Sequence, residues 1–273
     1  MAADGDAVPG AAPGSDGASE GGAVLRTDHL TRRFGELVAV DDLSLSVPEG
    51  EFRSIIGPNG AGKTTLFNCI TGALAPSSGG IFFRGEEVSE LAPHERVRRG
   101  MGRSFQITNV FGGLTVRENV RLAAQAVEDG RLSAVERLVR SKDSFPAIND
   151  RTDAVLERTG LTERADEQAD ALAYGQRRRL EIGLVLATDP DIVLLDEPTA
   201  GMSPEETQAT LDLVDDVLSE RTLLLIEHDV DLVMDVSDRI TVLNRGSELA
   251  TGTPREIADD EDVQAAYMGG MHE

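Results

Sequence analysis

Tryptophan is missing from this 273-residue chain, tyrosine occurs twice and cysteine once. With Cys69 alone, an intramolecular disulfide is excluded, and a chain of this length can bury a substantial core without covalent or metal staples. Cys69 falls on the apolar face of a predicted helix and reads as a small buried hydrophobe rather than a redox centre. Long apolar runs are lacking too. No window reaches about 18 apolar residues, and the residues after Met1 are small and acidic where a leader would place a basic segment before an apolar one. The chain is therefore expected to be soluble and intracellular, reaching a membrane only through a partner.

Positive charge is scarce. Aspartate and glutamate total 49 against 26 lysines and arginines, a formal net charge of -23, and only Lys63 and Lys142 are lysine. This balance argues against nonspecific DNA or RNA binding through a broad basic surface. An acidic, lysine-poor surface resembles that of halophilic cytoplasmic proteins, whose self-repulsion is screened by concentrated salt. Folding is expected to weaken in dilute buffer.

What is present centres on GPNGAGKTT, Gly57 to Thr65, entered from the apolar stretch Phe52 to Ile56. A backbone that curls around phosphate oxygens with its N–H groups inward needs glycine wherever a β-carbon would clash or φ must be positive. Gly57, Gly60 and Gly62 fill those places, with Pro58, Asn59 and Ala61 completing the loop. Lys63 can reach the β and γ phosphates and Thr64 can offer a hydroxyl to magnesium. The helix running on through Thr65 presents its N-terminus to the anion.

Around this loop the patterning predicts an α/β fold: a P-loop nucleoside triphosphate hydrolase core with an antiparallel β subdomain and an inserted α-helical subdomain. Residues 1–22 are rich in Gly, Ala, Asp, Ser and Pro and read as a disordered acidic tail. Alternation in AVLRTDHLTRRF and LVAVDDLSLSV predicts paired strands, and PSSGGIFFRGEEV a further short strand between turns. Thus 23–108 form the first part of the core with its β subdomain, and PHERVRRG a short basic helix. Helical patterns in VRENVRLAAQAV and DRTDAVLERTGL place a helical subdomain at 109–180, polar and irregular over 129–149. Apolar runs DIVLLDEP and TLLLIEH, separated by the helical SPEETQATLDLVDDVL, return the chain to a parallel sheet over 181–250. A C-terminal extension, 251–273, ends in a small helix near Met268.

DIVLLDEP carries two acids to the end of an apolar strand. Asp196 is placed to organise magnesium, which favours oxygen ligands such as Thr64 and nucleotide phosphates. Glu197 can orient or deprotonate a water attacking the γ-phosphate. His228, just beyond the strand ending at Ile226, can hydrogen-bond that phosphate or position the glutamate and its water. Gln106, in GRSFQITNVF, has an amide oxygen able to reach magnesium or the water.

These segments together resemble an ABC-type ATPase subunit from Leu25 to Tyr267. The deciding stretch is LAYGQRRRLEIGLVLA, Leu172 to Ala187, which is similar to the family's signature and precedes DIVLLDEP in the expected order. The resemblance implies that Leu172 to Gln176, including Tyr174 and Gly175, meet the ATP held by an opposing subunit, where helix polarity and backbone donors suit an anion. It also implies Phe34 as the aromatic stacked on adenine, Gln106 as the loop glutamine, Glu197 as catalytic glutamate, His228 as switch histidine and TAGMS (Thr199 to Ser203) as the intersubunit loop. Two positions depart from the pattern: Ala173 replaces the usual signature serine and removes a hydroxyl donor, and Ser203 stands where many relatives have aspartate.

The closer resemblance is to the ATPase component of branched-chain amino acid importers, carried by GPNGAGKTTLFNCITG, GRSFQITNVFGGLTVRENV, LAYGQRRRLEIG, IEHDVDLVMDVSDRI and TGTPREIADDEDVQAAYMG. It implies ATP and Mg2+ as cofactors, a homodimer or a heterodimer with a related ATPase, two transmembrane permease subunits and a solute-binding protein. It also implies a peripheral place on the cytoplasmic face of the cell membrane, with no nucleic acid partner. Urea and short-amide importer ATPases share much of this pattern. A soluble ABC ATPase acting on DNA repair or translation complexes is the alternative of a different class.

Overall fold

The computed structural model describes residues 22–103, 110–128, 145–218 and 220–269. The expected tail up to residue 21, Gln106, and the middle of the helical stretch at 129–144 lie outside them.

Two sheets form the frame. In the first, antiparallel sheet, β1 (Ala23–Phe34) pairs with β2 (Leu37–Leu43) and β3 (Ser46–Pro48), and with β5 (Ser78–Phe83), which carries β6 (Glu86–Glu87) at its far edge. The second contains β4 (Phe52–Ile56), β7 (Met101–Arg103), β8 (Ile192–Asp196), β9 (Thr222–Ile226), β10 (Arg239–Asn244) and β11 (Ser247–Gly252). Their order is β11-β10-β4-β9-β8-β7, and every pair is parallel except the β10–β11 hairpin.

Parallel strands need crossovers, and the helices that make them cover both faces of the sheet. Hence β8 and β9 are buried along their whole length. The two-residue period then divides their side chains between two cores. Ile192, Leu194, Leu224 and Ile226 join α1 (Lys63–Ile70) and the antiparallel sheet, with Cys69 wholly buried among them. Val193, Leu195, Leu223 and Leu225 face the other way. They pack with residues of α3 (Val116–Glu128), α4 (Pro146–Arg158), α5 (Tyr174–Ala187) and α6 (Pro204–Leu218). Each such leucine contributes about 2 kcal/mol by leaving water.

The short basic helix is α2 (Pro93–Arg98), yet its Arg96 is only 1% exposed. The guanidinium donates to the carbonyls of Cys69 (2.7 Å), Ile70 (2.6 Å) and Ser89 (2.9 Å). A cation there satisfies the orphan carbonyls at the C-terminus of α1 and meets the negative end of its dipole. The structure adds to the sequence reading the two-residue β6, the three-residue β7, a helix α7 (Val230–Val236) after His228, and a C-terminal region with two helices, α8 (Pro254–Asp259) and α9 (Glu261–Gly269), in place of one.

Candidate nucleotide site

Parallel strands deliver their C-terminal ends to one edge of the sheet, and the loops leaving that edge are where an open α/β sheet builds its site. Here β4 runs into Gly57, β8 into Glu197 and β9 into Glu227 and His228, while β7 ends at Arg103 on the same edge. Ile226 lies opposite Ile55 on one side and Asp196 on the other, so the three loops leave the sheet side by side.

In the glycine loop, Gly57, Gly60 and Gly62 all have positive φ (149°, 80° and 104°). A β-carbon on Gly57 would stand 2.1 Å from the Leu243 carbonyl oxygen, and one on Gly62 would stand 2.2 Å from that of Ala39. Gly60 has open space but keeps a conformation that other residues rarely adopt. Ala61 is buried and returns its N–H to Pro58, while Asn59 and Thr64 are exposed and Pro58 and Thr65 half-buried. At Gly62 the helix has neither a side-chain cap nor an acid in its first turn, leaving its N–H groups for an anion.

Lys63 is 5% exposed, and its ammonium donates to the carbonyls of Gly57 (2.6 Å) and Pro58 (3.1 Å). Burial lowers its pKa, and the negative charge of Glu197 opposes that shift. The lysine thus rests on the loop that it would leave to meet a phosphate.

Asp196 ends β8 at 4% exposure, and Arg103 donates to its Oδ2 at 3.0 Å. The same guanidinium reaches Asn68 Oδ1 (2.9 Å) and Thr71 Oγ1 (3.0 Å), so β7, α1 and the aspartate are tied together. Glu197 follows with φ 46°, the strained left-handed region, fixed by its N–H on the Ile226 carbonyl at 2.9 Å. His228 Nε2 lies 2.5 Å from Glu197 Oε1. Oxygen donors from Thr64 and Asp196 beside a phosphate cradle fit magnesium chemistry.

Phe34 is 44% exposed at the end of β1, with the Arg32 guanidinium 4.6 Å from its ring centroid. It pairs with Leu37 at the hairpin tip, and the strand that follows brings the Ala39 carbonyl against Gly62. The aromatic face therefore stands on the hairpin that borders the phosphate loop.

Tyr174, Gly175 and Gln176 open α5, the first two exposed. Gln176 Oε1 accepts from the Ala173 N–H at 3.1 Å; lacking a hydroxyl, Ala173 cannot return the second bond of a capping box. Tyr174, Arg177, Arg178 and Glu181 share a cleft of about 210 Å³ with Glu197, Pro198, Ala200 and Met202. Arg178 crosses it to donate to the Pro198 carbonyl at 2.9 Å. No hydrogen bond joins Leu172–Gln176 to Gly57–Thr65 among the described residues. Ser203 keeps a capping function: its N–H donates to Glu206 Oε2 (3.0 Å) and its Oγ accepts from the Glu206 N–H (3.3 Å). Gln106 lies outside the described residues.

Arg103, Glu227 and Tyr267 belong to this site without having been singled out in the sequence. Glu227 is 4% exposed and accepts from the loop containing Thr199. An acid directly before a histidine at a strand end was the available signal. Burial raises the Tyr267 pKa to about 12, opposed by a hydrogen bond from the Gly57 N–H. The C-terminal helix thereby touches the first residue of the phosphate loop.

The chain is similar to known proteins over most of its length. Residues 40–200 match the ABC transporter family model, and residues 248–273 match the model for the branched-chain amino acid ATP-binding cassette transporter. The high-affinity branched-chain amino acid transport ATP-binding protein LivG of Salmonella typhimurium is 44% identical over 90% of this chain and 98% of its own. BraF of Pseudomonas aeruginosa, with the same description, is 43% identical over the same shares. A crystal structure of an ABC transporter ATP-binding cassette in its ADP conformation superposes with a TM-score of 0.75 at 31% identity, over 90% of this chain and 99% of that one. The chain belongs to the ABC transporter family of ATP-binding subunits, among relatives that serve branched-chain amino acid transport.

Proposed function

We propose that this chain is the ATP-hydrolysing subunit that powers import of branched-chain amino acids through a membrane permease complex. The observation that carries the chemistry is the meeting of Glu197 and His228 at 2.5 Å, beside the loop that holds Lys63. The substrate class rests on LivG and BraF and on the match over the C-terminal segment.

In this reading the N–H groups of Gly60 and Gly62–Thr65 cradle the polyphosphate, and Lys63 leaves its two carbonyls for the outer phosphates. Thr64, Asp196 and Gln106 would hold magnesium, which when bound would neutralise charge on the phosphate oxygens. Glu197 orients the attacking water and accepts its proton, and His228 holds the glutamate and the outer phosphate in line. Phe34 stacks on adenine. Leu172–Gln176 of a second copy, or of a related ATPase, close over the nucleotide and exclude water.

The helical region 109–180 transmits this closure to two permease subunits, with a solute-binding protein outside. No helix among the described residues is long and apolar enough to cross a membrane. The subunit works from the cytoplasmic face, and ATP binding favours the closed pair through its higher affinity for that state. Reconstitution with a pair of branched-chain amino acid permease subunits tests the assignment. ATP-dependent uptake of leucine, isoleucine or valine is expected; uptake of urea instead overturns the substrate.

A further inference from the structure

We infer that Glu227 is a positioning residue for hydrolysis: its buried carboxylate locks the loop after Glu197 to the loop carrying His228. Asp196 and Ile226 form the last paired residues of β8 and β9, and both chains then leave the sheet. One backbone bond, from the Glu197 N–H to the Ile226 carbonyl, holds them at the exit. Beyond it two side-chain links join the loops, the Glu197–His228 contact and Glu227. Glu227 Oε1 accepts from the N–H (3.0 Å) and the hydroxyl (2.5 Å) of Thr199, and its Oε2 accepts from the His228 N–H (3.1 Å).

Burial makes these bonds consequential. Glu227 is 4% and Thr199 8% exposed, so the donors of Thr199 cannot turn to water when the carboxylate is lost. Glu227 is also poorly placed to be the base itself. Both its oxygens are engaged by donors of the two loops, whereas the side chain of Glu197 is 18% exposed and meets the His228 ring. A carboxylate here accepts from both loops at once; an amide cannot, because one end of it donates. Movement of Thr199–Ser203 is consequently passed to the His228 backbone within the same subunit.

The inference rests on the roles given to Glu197 and His228 above, and the test separates the two. Glu227→Gln keeps the size of the side chain but sets N–H against N–H at one loop. Its kcat should fall about tenfold while KM for ATP stays within about twofold, because an interaction used in turnover rather than in binding is removed. On a His228→Ala background the same substitution should cost less than about twofold, since residues acting as a unit are not additive. Full multiplication of the two losses would mark Glu227 as merely structural and overturn the inference. Thr199→Val and Thr199→Ser provide the second arm should Glu227→Gln not fold. The valine variant, without the hydroxyl, should lose about threefold in kcat and the serine variant should match wild type; equal rates for the two overturn the inference. If His228→Ala turns over like wild type, the reading of the site itself fails. If His228→Ala is slow while Glu227→Gln is normal, only the role of Glu227 falls.

Discussion

His228 Nε2 and Glu197 Oε1 are 2.5 Å apart, although their residues follow different strands and lie 31 positions apart in the chain. The contact exists because β8 and β9 are parallel neighbours that end together, and because Glu197 adopts φ 46° on leaving its strand. Removing the imidazole should release the carboxylate without emptying the phosphate loop. His228→Ala is therefore expected to bind ATP with wild-type affinity and to lose about 100-fold or more in kcat, the range of a misplaced acid–base group. Phosphate release alongside a fluorescent-nucleotide titration checks this, and an equal loss of binding would contradict it.

Lys63 makes stability depend on pH. Its pKa is lowered from 10.5, first by burial. Between the lowered value and 10.5 the unfolded chain carries a proton that the folded chain has shed, so stability rises with pH across that window. Below it the ammonium is charged in both states and the full cost of burial applies. In denaturant unfolding without nucleotide, the stability of Lys63→Met relative to wild type should therefore fall as the pH climbs toward about 10. A difference independent of pH would count against the buried ammonium. The same variant should bind ATP at least about tenfold more weakly, having lost charge-assisted bonds to phosphate.

Two glycines separate folding from assembly. At Gly62 a β-carbon would meet the Ala39 carbonyl at 2.2 Å, so Gly62→Ala should lower the melting temperature of the isolated subunit. At Gly175 a β-carbon would meet nothing within 4 Å. Gly175→Ala should keep the wild-type melting temperature and ATP affinity yet hydrolyse slowly, because its cost appears only when an opposing nucleotide approaches. Normal turnover by Gly175→Ala would remove the signature from the site.

The charge imbalance predicts stabilisation by salt. With a net charge of -23, self-repulsion dominates, and the screening length shrinks from about 30 Å at 0.01 M salt to about 3 Å at 1 M. The melting temperature should rise steadily as KCl increases toward about 1 M. A flat or falling curve would mean that the acidic surface has no halophilic role.

Much of this molecule is legible from periodicity and from glycine. The glycine loop, the strands ending at Asp196 and Ile226 and the burial of Cys69 each follow from a local pattern that tertiary packing reinforces. What escapes is set by distant partners. β7 has three residues and exists because it pairs with β8, some 90 positions away, with Gly102 packed against Val185 and Pro190. Arg96 reads as surface charge in a basic run, and only the carbonyls at the end of α1 explain its burial. Arg103, Glu227 and Tyr267 are likewise ordinary in sequence. Their significance arises from Asp196, Thr199 and Gly57, which the sheet and the C-terminal helix bring to them.

Glu197→Gln gives the most direct measurement of the central claim, that water is activated at Glu197 on a nucleotide enclosed by two subunits. In concentrated salt, sedimentation should show this variant as a dimer with Mg-ATP and a monomer with Mg-ADP, while its phosphate release falls at least about 100-fold below wild type. Turnover at the wild-type rate, or the same sedimentation with either nucleotide, would contradict the account.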